Sequence, residues 1–330
     1  MPKALLLINT GSPLQADTWY IKSFLANFFA DPHVFRSSAL LRLLLKKVVL
    51  PKRAPRLQPK YQAIFQNGKA PQDLYSRQLC TQLSTAGLYC TYAFLYAPPL
   101  VLGALDKCRR LNIDELYVLP LYPQSSITTT HSALDQVNEA LEKLSWHPDV
   151  HVMPGYAEHP AYISALAGSI KDGLEDLSPG REKVIYCSYH SLPMSYLKDA
   201  ADAAYIEQCH ETTALLSRAL GGLDCRCAFQ SAFGPAAWQG PFLQDLLLSH
   251  DYNRSAAVVI CPGFAMDCLE TLHEVEIKIR QELRHKNPAA DFKYIPCLNA
   301  SRAQAALIAA LLKDTQAELK GRIRRPEQVS

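Results

Sequence analysis

Two groups of side chains in this chain have the types and spacing to do chemistry together. The first is His190, at the end of the apolar run VIYCSYHSLP, where Pro193 cannot donate to a β-ladder and turns the chain outward. The second is the acidic series Asp267, Glu270 and Glu274 in DCLETLHEVEIKIRQEL. At an α-helical step of about 100° per residue these three fall within about 60° of one another, and Glu276 points the opposite way. A strand-end histidine is more often structural than catalytic, and an acidic stripe is more often a solvated face. Position strengthens the chemical reading, because the stripe begins where an apolar strand ends. Neighbouring carboxylates there raise one pKa, giving a proton acceptor that works near neutral pH, or they hold a cation. Histidine with glutamate suits a divalent ion of borderline hardness such as Fe²⁺ or Zn²⁺. No H-E-x-x-H or C-x-x-C spacing occurs, so a site would be assembled by folding and poor in ligands. That suits a metal in transit better than one held. SYHSLP is no nucleophile elbow, and NTGSP has a single glycine, which argues against a serine hydrolase and a dinucleotide site.

The elements that must position these groups read as strands alternating with helices. ALLLINTG, ELYVLPLYP, KVIYCSYHSLP and AAVVICPGF are nearly continuous apolar runs that close with Gly or Pro in their last three residues. Strands buried on both faces look like this, and they imply parallel sheets with crossover helices. LYCTYAFLYA, DVHVMPGY, CRCAFQSAFG and FKYIPCLN are the further strands expected. The fold class is therefore α/β, with two Rossmann-like domains, each a parallel sheet flanked by helices, and a cleft between them. The expected divisions are residues 1–152, 153–300 with His190 and Glu270, and 301–330 as a C-terminal helix packing back on the first half. That helix starts at Ser301 as N-cap, stops at Gly321 and leaves a frayed tail. Ligands of parallel sheets sit beyond the carboxyl ends of strands. Four loops qualify: residues 9–13, 122–130, 188–195 and 262–270.

Bulk properties narrow the partners. The formal net charge of +3 over 330 residues argues against nucleic acid. Ten cysteines scattered through apolar stretches read as reduced thiols in a cytoplasmic protein. No apolar stretch reaches membrane-spanning length, and MPKALLLINTGSP has no signal-peptide pattern. LANFFADPHVF followed by ALLRLLLKKVVLPKR is rich in Phe and Leu and edged with Lys and Arg. Ordinary core helices explain it as well as an apolar lip for a flat ligand or a membrane surface does.

The ordered set LLLINTGSP, VLPLYPQSSITTT, SYHSLP, FQSAFGPAAW and CPGFAMDCLETLHE resembles the ferrochelatases, which insert Fe²⁺ into protoporphyrin IX to make haem. The resemblance runs from about Ala4 to about Leu312 and is to the compact bacterial form. It implies two chelatase-type domains around a porphyrin cleft. It carries the family's invariant histidine onto His190 and its central glutamate onto Glu270, on opposite sides of the macrocycle. Asp267 and Glu274 fall on the acidic path for protons or metal. Tyr96 matches a cleft tyrosine, Trp238 a cleft tryptophan, and Asn9 and Thr10 open the first cleft loop. Tyr122, Ser188 and Phe264, at the other strand-end loops, complete the expected cleft. Fe²⁺ and protoporphyrin IX are then the substrates of a monomer, with no tightly bound cofactor and no iron–sulfur cluster. Peripheral membrane contact would run through the Phe/Leu lip.

The chain departs from the family at Leu95, where an arginine is usual, at Ala70 for a serine and at Ala232 for an arginine. PFLQD also stands for PYTDE. These losses imply a weaker grip on propionates. They leave room for another tetrapyrrole such as coproporphyrin, or for a porphyrin- or haem-binding paralogue with weak activity.

Overall fold

The computed structural model describes residues 2–323 apart from 154, 176, 178 and 179, so residues 324–330 of the expected frayed tail lie outside the described residues. All eight expected strands form. The first sheet holds β1 (Lys3–Asn9), β2 (Leu88–Phe94), β3 (Glu115–Pro120) and β4 (Asp149–Val152). The second holds β5 (Glu182–His190), β6 (Asp224–Gln230), β7 (Ser255–Ile260) and β8 (Phe292–Tyr294). The strand orders are β2-β1-β3-β4 and β6-β5-β7-β8, and every pairing is parallel. The two halves thus share one topology.

The continuous apolar runs have a simple physical cause. Along β1, Leu5 and Leu7 enter one core while Ala4, Leu6 and Ile8 enter another. Along β5, Ile185, Cys187 and Tyr189 join the core of Leu5 and Leu7, and Val184 and Tyr186 face a third. Both faces of both sheets are therefore covered, so no polar alternation is needed. One core is shared between the sheets, and it includes Leu166 and Ile170 of the helix Pro160–Leu174.

The turn after β1 is tight. Gly11 has φ of +86°, and a Cβ there would lie 2.6 Å from the Phe94 Cβ. Only glycine fits both conditions.

The C-terminal helix, Arg302–Ile323, packs on Pro160–Leu174 and on Pro71–Leu83 of the first half. Ser301 Oγ accepts from the Gln304 amide at 3.1 Å, as an N-cap does. Gly321 does not end the helix, which runs on to Ile323.

The expected lip divides in two. Phe24, Leu25 and Phe29 of the helix Thr18–Ala30 are core residues. Exposed apolar surface comes instead from Leu41, Leu43, Leu44, Val48 and Val49. A further link joins the halves: Arg36 pairs with the fully buried Asp202, whose other oxygen accepts from the Ile127 amide at 3.0 Å. Tyr196 adds to it, with its ring 4.1 Å from the Arg36 guanidinium and its hydroxyl donating to the Val34 carbonyl.

Candidate active site

His190 is the last residue of β5. Strand alternation puts it on the face of Val184, Tyr186 and Ser188, over which the helix Leu269–Ile279 packs through Val275 and Ile279. Its Nδ1 lies 2.6 Å from the Ser191 carbonyl oxygen. A carbonyl only accepts, so Nδ1 carries the proton, and in the neutral ring Nε2 is the acceptor. The backbone beneath is held by the Tyr205 hydroxyl, which donates to the His190 carbonyl at 2.9 Å.

The acidic helix is wound as a π-helix. Such i→i+5 winding is rare and recurs at functional sites. The helix is wedged between the halves: Leu269, Leu272 and Ile277 pack on the outer core of the first domain, while Val275 and Ile279 pack on the second. Glu270 and Glu274 stand four residues apart on it, facing the helix Leu50–Ile64 that carries Arg53, Lys60 and Tyr61. Burial, and after it the Glu270 charge, pushes the Glu274 carboxyl up to about 7, against the pull of the Ser231 hydroxyl, Lys60 and Lys278. Glu274 can therefore gain or lose a proton near neutrality. Burial and then the Glu270 charge likewise push the Tyr61 phenol up.

Asp267 does not share this face. The helix begins only after Cys268, and Asp267 lies ahead of it, 2 % exposed. Its oxygens accept from Tyr294 at 2.6 Å, Thr271 at 3.0 Å and Asn299 at 2.7 Å. These bonds make it an anchor for the loop that launches the helix. The α-helical spacing failed here because the backbone before residue 269 is not helical.

Two residues that spacing alone did not single out tie the site together. Gln230, the register partner of His190 on β6, accepts from Ser188 Oγ at 2.5 Å and donates to the Glu270 carbonyl at 2.7 Å. Ser231 donates to Glu274 Oε2 at 2.6 Å. Both stand in the FQSAFG motif, the signal in the sequence that could have found them.

The expected cleft residues fall into two groups. Thr10 and Tyr122 meet through their hydroxyls at 3.0 Å, and Asn9 braces that loop by accepting from the Thr10 amide at 2.8 Å. Trp238 tilts against Phe233 at 4.9 Å and donates to its carbonyl, and Phe264 is half-buried beside the outer core of the second domain. Ser188 and Tyr96 sit behind the surface. Ser188 is fully buried under Gln230, and the Tyr96 hydroxyl donates to Asp31 at 2.8 Å. Of the departures, Leu95 is core and Ala232 is exposed. Ala70 lines a cavity of about 700 Å³ together with Ser12, Leu14, Lys69 and Arg77. Neither His190 nor Glu270 lines that cavity, which adjoins the first cleft loop. Among the described residues no cluster of three or more His, Cys, Asp or Glu side chains is arranged to hold a metal ion.

Two like-wound parallel sheets, each flanked by helices, make a chelatase-type fold. The fold is similar to that of SirB from Bacillus subtilis, solved with Fe³⁺, at a TM-score of 0.59, with 12 % identity, 97 % of this chain and 98 % of that one covered. A model of the ferrochelatase family matches residues 2–316. The ferrochelatase of Vibrio cholerae serotype O1 is 34 % identical over 314 residues, 94 % of this chain and 97 % of that protein. The chain belongs to the ferrochelatase family.

Proposed function

We propose that the protein inserts Fe²⁺ into protoporphyrin IX to form protohaem, with release of two pyrrole protons. The observation that supports this reading is that Gln230, the register partner of His190, donates to the Glu270 carbonyl, which ties the strand end bearing His190 to the acidic helix. His190, with its tautomer set by Ser191, presents Nε2 as the base for the pyrrole protons. Glu270 and Glu274 attract the cation, and Glu274 gives up its own proton as positive charge approaches. A flat macrocycle shields its nitrogens, so the cleft must favour a puckered ring, which means binding the transition state better than the substrate. No redox change is required. The ten free thiols fit a reducing compartment, and we place the protein in the cytoplasm, acting as a monomer. No helix among the described residues is long and apolar enough to cross a membrane, and we assign peripheral contact to the exposed Leu41–Val49 surface.

The test is anaerobic insertion of Fe²⁺ or Zn²⁺ followed by absorbance. Protoporphyrin IX and coproporphyrin are run in parallel, because Ala70, a departure from the family pattern, lines a cavity beside the first cleft loop. Insertion into protoporphyrin IX at the higher rate is expected. Tight binding without insertion would instead make the protein a porphyrin carrier, and preference for coproporphyrin would change the substrate.

A further inference from the structure

Gln230 and Ser231 are consecutive, yet both side chains reach the same helix. In an extended strand this cannot happen, since successive side chains point to opposite faces. Gln230 follows Ala228 onto the face covered by the Leu269–Ile279 helix, whereas Phe229 points into the shared core. Continued extension would send Ser231 the way of Phe229. Instead Ser231 has φ of +66°, in the left-handed region that side chains disfavour. That turn brings its hydroxyl back to Glu274 Oε2 at 2.6 Å while Gln230 holds the Glu270 carbonyl at 2.7 Å. A glycine would relieve the backbone, but it could not make the bond to Glu274.

We propose that Gln230 and Ser231 form a positioning clamp that sets where the Glu270 and Glu274 carboxylates stand relative to His190, and that the left-handed backbone of Ser231 lets one dipeptide hold both. The clamp is anchored on the strand that carries His190. Gln230 Oε1 accepts from Ser188 Oγ, and the Gln230 carbonyl accepts from the Ser191 amide at 2.9 Å. Hydrogen bonds of the Gln230–Ser231 dipeptide thus tie the backbone beside His190 to both turns of the acidic helix. That spacing matters for insertion, because base and cation path must stand at fixed positions about one macrocycle. Its role in catalysis rests on the proposed reaction, whereas the clamp itself does not.

Three variants of the full chain test it. Ser231→Gly keeps the turn and removes the hydroxyl. Ser231→Asn tolerates the turn and supplies an amide donor. Gln230→Met preserves shape and removes the side-chain hydrogen bonds to Ser188, Glu270 and Cys261. Hydrogen exchange of the amides in 269–275 is expected to speed up about tenfold or more in Ser231→Gly and Gln230→Met and to stay near wild type in Ser231→Asn. Metal-insertion kcat should fall by about 10- to 100-fold in the first two, with the porphyrin Kd, read by fluorescence, within about twofold of wild type. Unchanged exchange in both deletion variants overturns the clamp. A loss that appears in porphyrin Kd and not in kcat also overturns it, because it would make Ser231 a ligand contact. If the wild-type protein inserts no metal, the proposed reaction fails and the exchange measurement still decides the clamp.

Discussion

The His190 ring donates Nδ1–H to the carbonyl oxygen of Ser191, its own neighbour in the chain, across 2.6 Å. In its neutral form a residue so placed has one tautomer and one acceptor nitrogen, and it stands at the last position of β5. His190→Ala should therefore lower metal insertion by about 10²–10⁴-fold, the usual range for a positioned base. Porphyrin binding, followed by fluorescence quenching, should remain measurable. Wild-type insertion rates in that variant would remove His190 from the reaction.

Glu274 links activity to stability through pH. Its carboxyl is raised from 4.5 to about 7, so the folded protein binds that proton more tightly than the unfolded chain does. The charged form works against the fold. The cost is absent below about pH 4.5, grows as pH rises through the interval, and is complete above about pH 7. Glu274→Gln should raise stability at pH 8 by up to about 3 kcal/mol and change little at pH 4. Insertion should fall in the same variant. Thermal melts at the two pH values check this, and equal shifts at both would contradict the buried carboxylate.

Arg36 and Asp202 connect the halves at a fully buried carboxylate. Removing only the cation leaves that charge inside, held among the described residues by the Ile127 amide alone. Arg36→Ala should cost several kcal/mol, toward the lower end of the roughly 3–5 kcal/mol range for breaking a buried pair, because Arg36 is itself partly exposed. Adding Asp202→Asn should recover part of the loss. A denaturant series on the single and double variants measures the coupling, and additive losses would show that the pair does not act as a unit.

Leu43 is 47 % exposed and Leu44 53 % exposed, on a segment that also carries Lys46 and Lys47. A leucine fully buried in an apolar phase contributes about 1.5–3 kcal/mol. The double change Leu43→Glu, Leu44→Glu should thus weaken binding to vesicles containing anionic lipid by about tenfold or more, with insertion in detergent-free solution unchanged. Equal sedimentation of both proteins with vesicles would assign the surface no membrane role.

Much of the architecture was legible in the chain. KVIYCSYHSLP and AAVVICPGF announced buried parallel strands because both sheet faces are covered, and a doubly covered strand has no polar side to display. Asp267 was misread for a local reason. Its place on a common face assumed α-helical backbone from residue 267, whereas Cys268 caps a π-helix that begins at Leu269. The lip was half legible, since Phe24 and Phe29 look in sequence like Leu43 and Leu44, and only packing sorts core from surface.

The sequence by itself determined the sheets, the strand-end histidine and the presence of an acidic helix, because burial periodicity and chain-breaking residues are local properties. Tertiary structure alone decided which carboxylate becomes the near-neutral one and what holds it. Desolvation of Glu274 comes from its wedged position between two domains, and the left-handed turn at Ser231 is paid for by contacts that lie 43 residues away along the chain. Neither is encoded in any short window, since both depend on what the fold brings alongside.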